Sequence, residues 1–359
     1  MGKEKTKKTI NLALQGGGAH GAFTWGVLDY ILQDDRLDIE GISATSAGAM
    51  NAAAFAHGQS VGGAAGARET LEHFWSEIAK TGSVFSPVKG LPWDMSSFIA
   101  PTLPAWMQGW NADFDNTLSF SMFENMTRSV SPYQFNPMGL NPLKDVLEKT
   151  IDFNAVHDCK CVKLFITATD VQTGTAKIFQ NEEVSIDALL ASAALPFLFQ
   201  AVEIDGRYYW DGGYTGNPSL WPLFYNAQCR DILMVHVNPI LREDLPKQAY
   251  AIDNRLNEIT FNVALLKELR AVDFVQKLLD QDMLKDEYKD RYKNILLHAI
   301  RADDAMTDLS VASKFDTDWG FLTHLRDLGR DHAKAWLKKH FKAINKAGTV
   351  NIAKDYLNA

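Results

Sequence analysis

A single serine stands at the corner of the run Ile42-Ser43-Ala44-Thr45-Ser46-Ala47-Gly48-Ala49-Met50. Strand-like sequence, Asp38 to Ser43, leads into it, and helix-like sequence, Gly48 to His57, leads away. A sharp strand-to-helix turn lifts a hydroxyl clear of the backbone, and it needs small neighbours because the chain is crowded there. A helix that begins at Ser46 also directs its first amides, and the positive end of its dipole, at negative charge developing nearby. This is the layout of a serine nucleophile for acyl transfer. The usual Gly-x-Ser-x-Gly spacing is kept at Gly48 and broken at Ala44, where alanine is the smallest replacement.

Two other blocks belong with the serine. Gly16-Gly17-Gly18-Ala19-His20-Gly21 follows the apolar strand-like run Ile10 to Leu14. It precedes a helical pattern with Phe23, Val27, Leu28, Ile31 and Leu32 on one side. Glycines that open a helix let backbone N–H groups converge on one anion, and a phosphate or an acyl oxyanion would both fit. A dinucleotide site requires the glycines in register with an acid at the end of the next strand, which is missing. A P-loop requires a Lys-Ser or Lys-Thr pair, also missing. An oxyanion hole, with donors drawn from Gly16, Gly17, Gly18 and Ala19, is the reading that uses both blocks.

The third block is Asp211-Gly212-Gly213. It leaves a hairpin signalled by Asp205-Gly206 between alternating apolar residues. An aspartate there can reach a serine on another strand and take its proton. An Asx-type turn before glycine is the competing reading, and it prevails for the block in isolation. An aspartate acting as base needs a partly dry site that raises its proton affinity. A third member was sought in His236 and His298, each closing an apolar strand-like run. For both, a strand-end histidine facing solvent or bonded to backbone is the better reading.

The chain resembles the patatin-like phospholipases, serine lipid acyl hydrolases with a Ser-Asp dyad. Four blocks match in order: Gly16 to Gly21, the Ser46 elbow, Ala191-Ser192-Ala193-Ala194-Leu195-Pro196-Phe197, and Asp211-Gly212-Gly213 followed by Asn217-Pro218. The resemblance covers roughly residues 9 to 225. It implies Ser46 as nucleophile, Asp211 as base and the glycine-run amides as oxyanion hole, with Gly21, Gly48, Gly212 and Gly213 supporting the motifs. Two departures stand out. Ala44 is one; the other is His20, where the family often has Arg or Lys, so that any charge there is weaker and pH-dependent. The implied fold is a three-layer α/β/α domain over residues 1–359 with a mainly parallel central sheet. It would carry a cap-like insertion over 82–142 and a helix-rich C-terminal extension over 253–359.

Composition agrees with an enzyme of this kind. A chain of 359 residues can bury a large core. A net charge of −8, with no basic stripe, argues against nucleic acid as a partner. Three cysteines suggest a reducing compartment without a disulfide framework. His157, Cys159 and Cys161 would share one face of a strand, as a buried strand edge rather than a metal site. The chemistry needs no metal or cofactor. No stretch is apolar enough to span a bilayer, and the basic N-terminus lacks a signal-like apolar run behind it. A cytoplasmic enzyme is therefore expected, although secretion without a cleaved signal would look the same. Gly2 with Thr6 fits the minimal myristoylation pattern, a pattern short enough to arise by chance.

Further strands are expected at Val162 to Thr169, Ala176 to Phe179, Glu203 to Trp210, Ile232 to Val237 and Ile295 to Ile300, and a glycine-alanine turn or helix start at Ser60 to Gly66. Amphipathic helices are expected at Arg68 to Lys80 and Trp319 to Phe341. Residues 82–142 are rich in Trp, Phe, Met and Pro, with little periodicity. They read equally as a cap that admits acyl chains and touches a membrane through 84–126, or as an irregular insertion packed on the core. The expected activity is hydrolysis of phospholipid or related acyl esters. A thioesterase or acyltransferase with the same dyad, and a catalytically silent lipid-binding protein, are the alternatives.

Overall fold

The computed structural model describes residues 7–82, 130–242, 245–247, 249–289, 292–306, 309 and 311–357. The expected membrane contact at 84–126, most of the cap-like 82–142 segment and the Gly2 pattern lie outside them. The described residues form one eight-stranded sheet: β1 (Lys8–Leu14), β2 (Leu37–Thr45), β3 (Lys163–Asp170), β4 (Ala176–Gln180), β5 (Val202–Ile204), β6 (Arg207–Asp211), β7 (Asp231–His236) and β8 (Leu296–Arg301). Strands lie in the order β5-β6-β3-β2-β1-β7-β8, with β4 paired to β3 off this path. The five strands from β3 to β8 across β2, β1 and β7 are parallel, and β4, β5 and β6 are antiparallel.

The central strands read as near-continuous apolar runs because both of their faces are covered. Alternate residues feed two separate cores. Leu12, Leu14, Leu164, Ile166, Leu233 and Val235 point into one. Ala13, Phe165, Ile232 and Met234 point into the other. Helices α1 (Gly21–Asp34), α2 (Ala47–Thr81) and α7 (Trp319–His340) close the first core. Helix α6 (Ala249–Asp280) closes the second through Leu265, Leu269 and Val272. Between them in the chain run α3 (Pro142–Thr150), α4 (Ile186–Ser192) and α5 (Trp221–Asn226). The result is the expected three-layer α/β/α fold, and the helical C-terminal region supplies a covering helix to each face.

Two expectations change. Ser60 to Gly66 is not among them: the span Ala47–Thr81 is two helical segments joined where Gly62 and Gly63 leave helical geometry, the glycine-alanine turn expected there. Gly63, at φ +59°, takes the bend that a side chain would resist. His157, Cys159 and Cys161 do not share a strand. Asp152 caps a short helix, Phe153–Asp158, by accepting from the Asn154 amide, and β3 starts only at Lys163. Cys159 and Cys161, expected reduced, are joined as a disulfide, and Cys229 is free. That bond closes a loop of a few residues and ties no distant elements together.

The α1–α7 crossing brings backbone against backbone. A Cβ on Gly26 would stand 1.8 Å from the Arg326 carbonyl oxygen, and one on Gly329 would stand 2.0 Å from that of Phe23. Gly26→Ala therefore forces the helices apart and destabilises the protein by about 1–3 kcal/mol or more. Urea unfolding followed by circular dichroism measures this, and an unchanged midpoint would contradict so close a crossing.

Candidate active site

Ser46 ends β2 and opens α2 with φ 53° and ψ −125°, a conformation that costs an L-residue about 1–3 kcal/mol. Several contacts hold it there. Its N–H donates to Ser192 Oγ at 2.9 Å, and Ser192 Oγ–H donates to the Thr167 carbonyl at 2.6 Å. Its carbonyl accepts from the Ala49 and Met50 amides as the first turn of α2. Thr45 Oγ1 donates to the Gly216 carbonyl at 2.7 Å, fixing the end of the strand.

Space around the turn is short. A Cβ on Gly16 would lie 2.6 Å from Ser46 Cβ, and one on Gly48 would lie 2.4 Å from the Leu14 carbonyl oxygen. Ala44 meets no such obstacle. It pairs with Leu14 and Ile166 in the sheet, and its methyl is buried in the apolar core. The departure from Gly-x-Ser-x-Gly at Ala44 thus lies on the core side of the strand, away from the crowding.

The glycine run divides in two. The Gly16 N–H is taken by Asn217 Oδ1 at 2.7 Å, and Gly16 does not line the site cavity. The Gly16 carbonyl accepts from Asn238 Nδ2 at 2.8 Å. Gln15 Oε1 accepts from the Val237 and Asn238 amides and so pins the same turn to the end of β7. Gly17, Gly18 and Ala19 do line the cavity, and among the described residues no group accepts from their N–H groups. Gly18 adopts φ +59°, and the His20 amide donates back to the Gly17 carbonyl at 3.2 Å. Three residues whose amides are unpaired among the described residues thus border a single space. His20 itself is buried with Nε2 2.7 Å from Ser313 Oγ. Burial, reinforced by the charges of Lys314 and Arg242, pushes it down to about 3, so it is neutral near pH 7. The weak, pH-dependent charge expected at His20 is absent there.

Asp211 closes β6, antiparallel to β3, and is 1% exposed. Its N–H donates to the Ala194 carbonyl at 2.9 Å, and its carbonyl accepts from Thr169 Oγ1 at 2.8 Å. The side chain forms the Asx-type bond, accepting from the Gly213 amide at 2.7 Å, and the Ser46 hydroxyl is near enough to favour its charged form. Gly212 is pressed against the Thr167 carbonyl, where a Cβ would stand 2.1 Å away. Burial pushes the Asp211 carboxyl up to about 7, against the opposing pull of the Gly213 amide, the Ser46 hydroxyl and Lys314. Raised so far, the group binds and releases a proton near neutrality.

Ser46, Asp211 and the Gly17–Ala19 amides share one cavity of about 180 Å³. Its walls are largely apolar, with Met50, Phe74, Trp75, Leu198, Phe199 and Phe261 among them. A lining of this kind suits an apolar group. His236 and His298 lie elsewhere. His236 Nε2 meets Asn262 Oδ1 at 3.3 Å, and His298 bonds Asp231 at 2.9 Å and Thr349 at 3.0 Å. Neither lines the cavity. Among the described residues, no cluster of His, Cys, Asp and Glu is arranged to hold a metal, and no helix is long and apolar enough to cross a membrane.

Sequence reasoning missed the residues that hold the turns: Gln15, Asn217 and Asn238 around the glycine run, and Ser192 beneath Ser46. Asn217 and Ser192 stood inside blocks already singled out, so position within a block was the available signal. Lys314, which lines the cavity from the C-terminal region, carried none.

The patatin-like phospholipase family model matches residues 12–224. No curated protein matches the chain. Among solved structures, VipD from Legionella pneumophila is similar at 14% identity and TM-score 0.44, over 94% of this chain and 67% of that one. The type III effector protein ExoU is similar at 15% identity and TM-score 0.33, over 93% of this chain and 54% of its own. ExoU in complex with SpcU, from the type III secretion system of Pseudomonas aeruginosa, is similar at 12% identity and TM-score 0.32, with the same two coverages. The chain thus spans about two thirds of VipD and about half of ExoU. With its family match reaching from β1 across the serine turn and the aspartate loop into α5, the chain belongs to the patatin-like phospholipases, a family of lipid acyl hydrolases.

Proposed function

We propose that this chain is a lipid acyl hydrolase of phospholipase A type, with Ser46 as nucleophile, Asp211 as general base and the amides of Gly17, Gly18 and Ala19 as oxyanion hole. One observation carries the reading: a buried carboxyl raised to about 7 shares an apolar cavity with the hydroxyl of a strained serine, beside residues whose amides are unpaired among the described residues. The Ser46 hydroxyl attacks the ester carbonyl carbon while Asp211 takes its proton. The oxyanion is held by the amides, whose alignment is fixed before reaction by Asn217, Gln15 and Asn238. Collapse expels the alcohol, which leaves with the proton from Asp211. Water then attacks the acyl-serine as Asp211 takes its proton, and the fatty acid departs as Ser46 regains its own. No cofactor enters these steps.

The raised proton affinity supports base catalysis in two ways. An aspartate near 3.8 is too weak a base to take a serine proton efficiently, and about 7 brings it near the working pH. The same environment excludes bulk water, which strengthens the hydrogen bonds to the oxyanion.

Ser46→Ala should abolish fluorophosphonate labelling and lower fatty-acid release from phospholipid by at least about a thousandfold, with melting unchanged. Asp211→Asn should lower release by at least about a hundredfold. Labelling without release in the wild type would point to a thioester donor or to an acceptor other than water. Neither signal in folded protein would favour a silent lipid-binding chain.

The base must be ionised to act, so kcat/KM on a soluble neutral ester should fall as pH drops below about 7, approaching tenfold per pH unit. A flat profile between about pH 5 and 8 would remove Asp211 as the base. Ser192→Ala strands the Ser46 amide and the Thr167 carbonyl. It should lower kcat by about 10- to 100-fold with little change in KM, because the hydroxyl loses its alignment rather than its substrate.

A further inference from the structure

The active-site cavity is not finished by the part of the chain that the family model covers. Residues 225–359 add a wall to it through Asn257, Phe261, Lys314, Phe315 and Thr317. The 3-10 turn Val311–Phe315 is seated directly on the glycine run. A Cβ on Gly18 would stand 2.3 Å from the Lys314 carbonyl oxygen, and Ser313 takes the ring of His20. The Lys314 ammonium donates to Asn238 Oδ1 at 2.9 Å, the same Asn238 that holds the Gly16 carbonyl. It reaches Asn257 Oδ1 at 3.5 Å and lies 5.9 Å from the ring centre of Phe261, which packs against Gly213. Lys314 thus stands between the amide turn and the aspartate loop.

Among the described residues the cavity lining holds two formally charged side chains, Asp211 and Lys314, among largely apolar neighbours. Asp211 accepts from the Gly213 amide. Both oxygens facing the Lys314 ammonium belong to neutral amides, and among the described residues no carboxylate lies within ion-pair distance of it. Glu258, the nearby acid that favours its charge, is engaged by Arg242 and Arg255. An ammonium carries three donors, and a half-buried cation without an ion partner is left with donor capacity for an anion. An acyl chain has no charge to offer, so a compensating anion on the substrate belongs to its alcohol part. Burial lowers Lys314 to about 8, which leaves it protonated near pH 7.

Resting on the hydrolase reading above, we propose that Lys314 is a specificity-determining residue that binds the phosphoryl group of the substrate, so that the enzyme selects phosphate-bearing lipid esters over uncharged ones. His20, buried and neutral, contributes no charge to this subsite. The C-terminal region therefore supplies head-group recognition to the site.

The test compares dihexanoyl phosphatidylcholine with dihexanoylglycerol, both as monomers, and separately measures calorimetric binding of dodecylphosphocholine below its micelle threshold to Ser46→Ala protein. Lys314→Met should raise KM for the phospholipid by about 10- to 100-fold more than it raises KM for the neutral ester. It should weaken dodecylphosphocholine binding by the same factor. Lys314→Arg should restore most of both, and Lys314→Gln, which keeps an amide donor for Asn238, guards against misfolding. Equal losses on the two esters, with the acid limb of the pH profile displaced, would overturn the proposal and make Lys314 a partner of Asp211 alone. Unchanged KM and unchanged binding would overturn it as well. If the wild type hydrolyses neither ester while binding still depends on Lys314, the phosphoryl site stands and the hydrolase reading fails.

Discussion

The backbone of Ser46 occupies a conformation that an L-residue adopts only under constraint, and the rest of the site is arranged around holding it there. The turn needs three things at once: a strand that ends in the sheet, a helix that starts without delay, and no side chain in the space between. Hydrogen bonding through Ser192 to Thr167 supplies an anchor from the neighbouring strand. Gly16 and Gly48 supply the space. The cost of the strained residue, about 1–3 kcal/mol, is comparable to the roughly 1.5–3 kcal/mol that one fully buried Leu, Ile or Phe contributes, and the two cores hold many of them. A large, two-sided core is what makes the strain tolerable.

Burial then sets the electrostatics. Asp211 is enclosed because β6 pairs back onto β3 and α6 lays Phe261 against the following glycines. The same enclosure that raises its proton affinity leaves its charge offset by the Gly213 amide, the Ser46 hydroxyl and Lys314. His20 shows the opposite outcome of the same physics. It is a base buried beside cations, and it is held neutral. Dryness alone would disable the aspartate as an acceptor of protons in a charged transition state; the fixed dipoles and the lysine around it keep it usable.

Much of this was legible in the chain before any coordinates. The elbow at Ser46, the glycine run and the Asp211 block each carry a local requirement for small residues, and local requirements are written in consecutive positions. The strands were legible for a similar reason: central parallel strands are buried on both faces and so become continuous apolar runs. What failed to show was long-range. Gly16 read as an oxyanion donor because its neighbours are donors, yet its amide is claimed by Asn217, some two hundred positions away. Cys159 and Cys161 read as a strand edge because they abut one, yet the Asp152 cap starts a helix first.

The sequence by itself determined the sheet, the three chemical blocks and the family, because each depends on the order and size of nearby residues. Tertiary structure decided which of those groups meet and what charge they hold. Whether Asp211 is an Asx turn or a proton acceptor depends on its distance from Ser46 and on the water excluded from both. Whether His20 is charged depends on its burial, with the charges of Lys314 and Arg242 acting in the same direction. Lys314 reached the cavity with no motif around it, since a lysine gains meaning there only from being enclosed with an aspartate contributed by another strand. Proximity and desolvation are properties of the packed chain, and they have no counterpart in residue spacing.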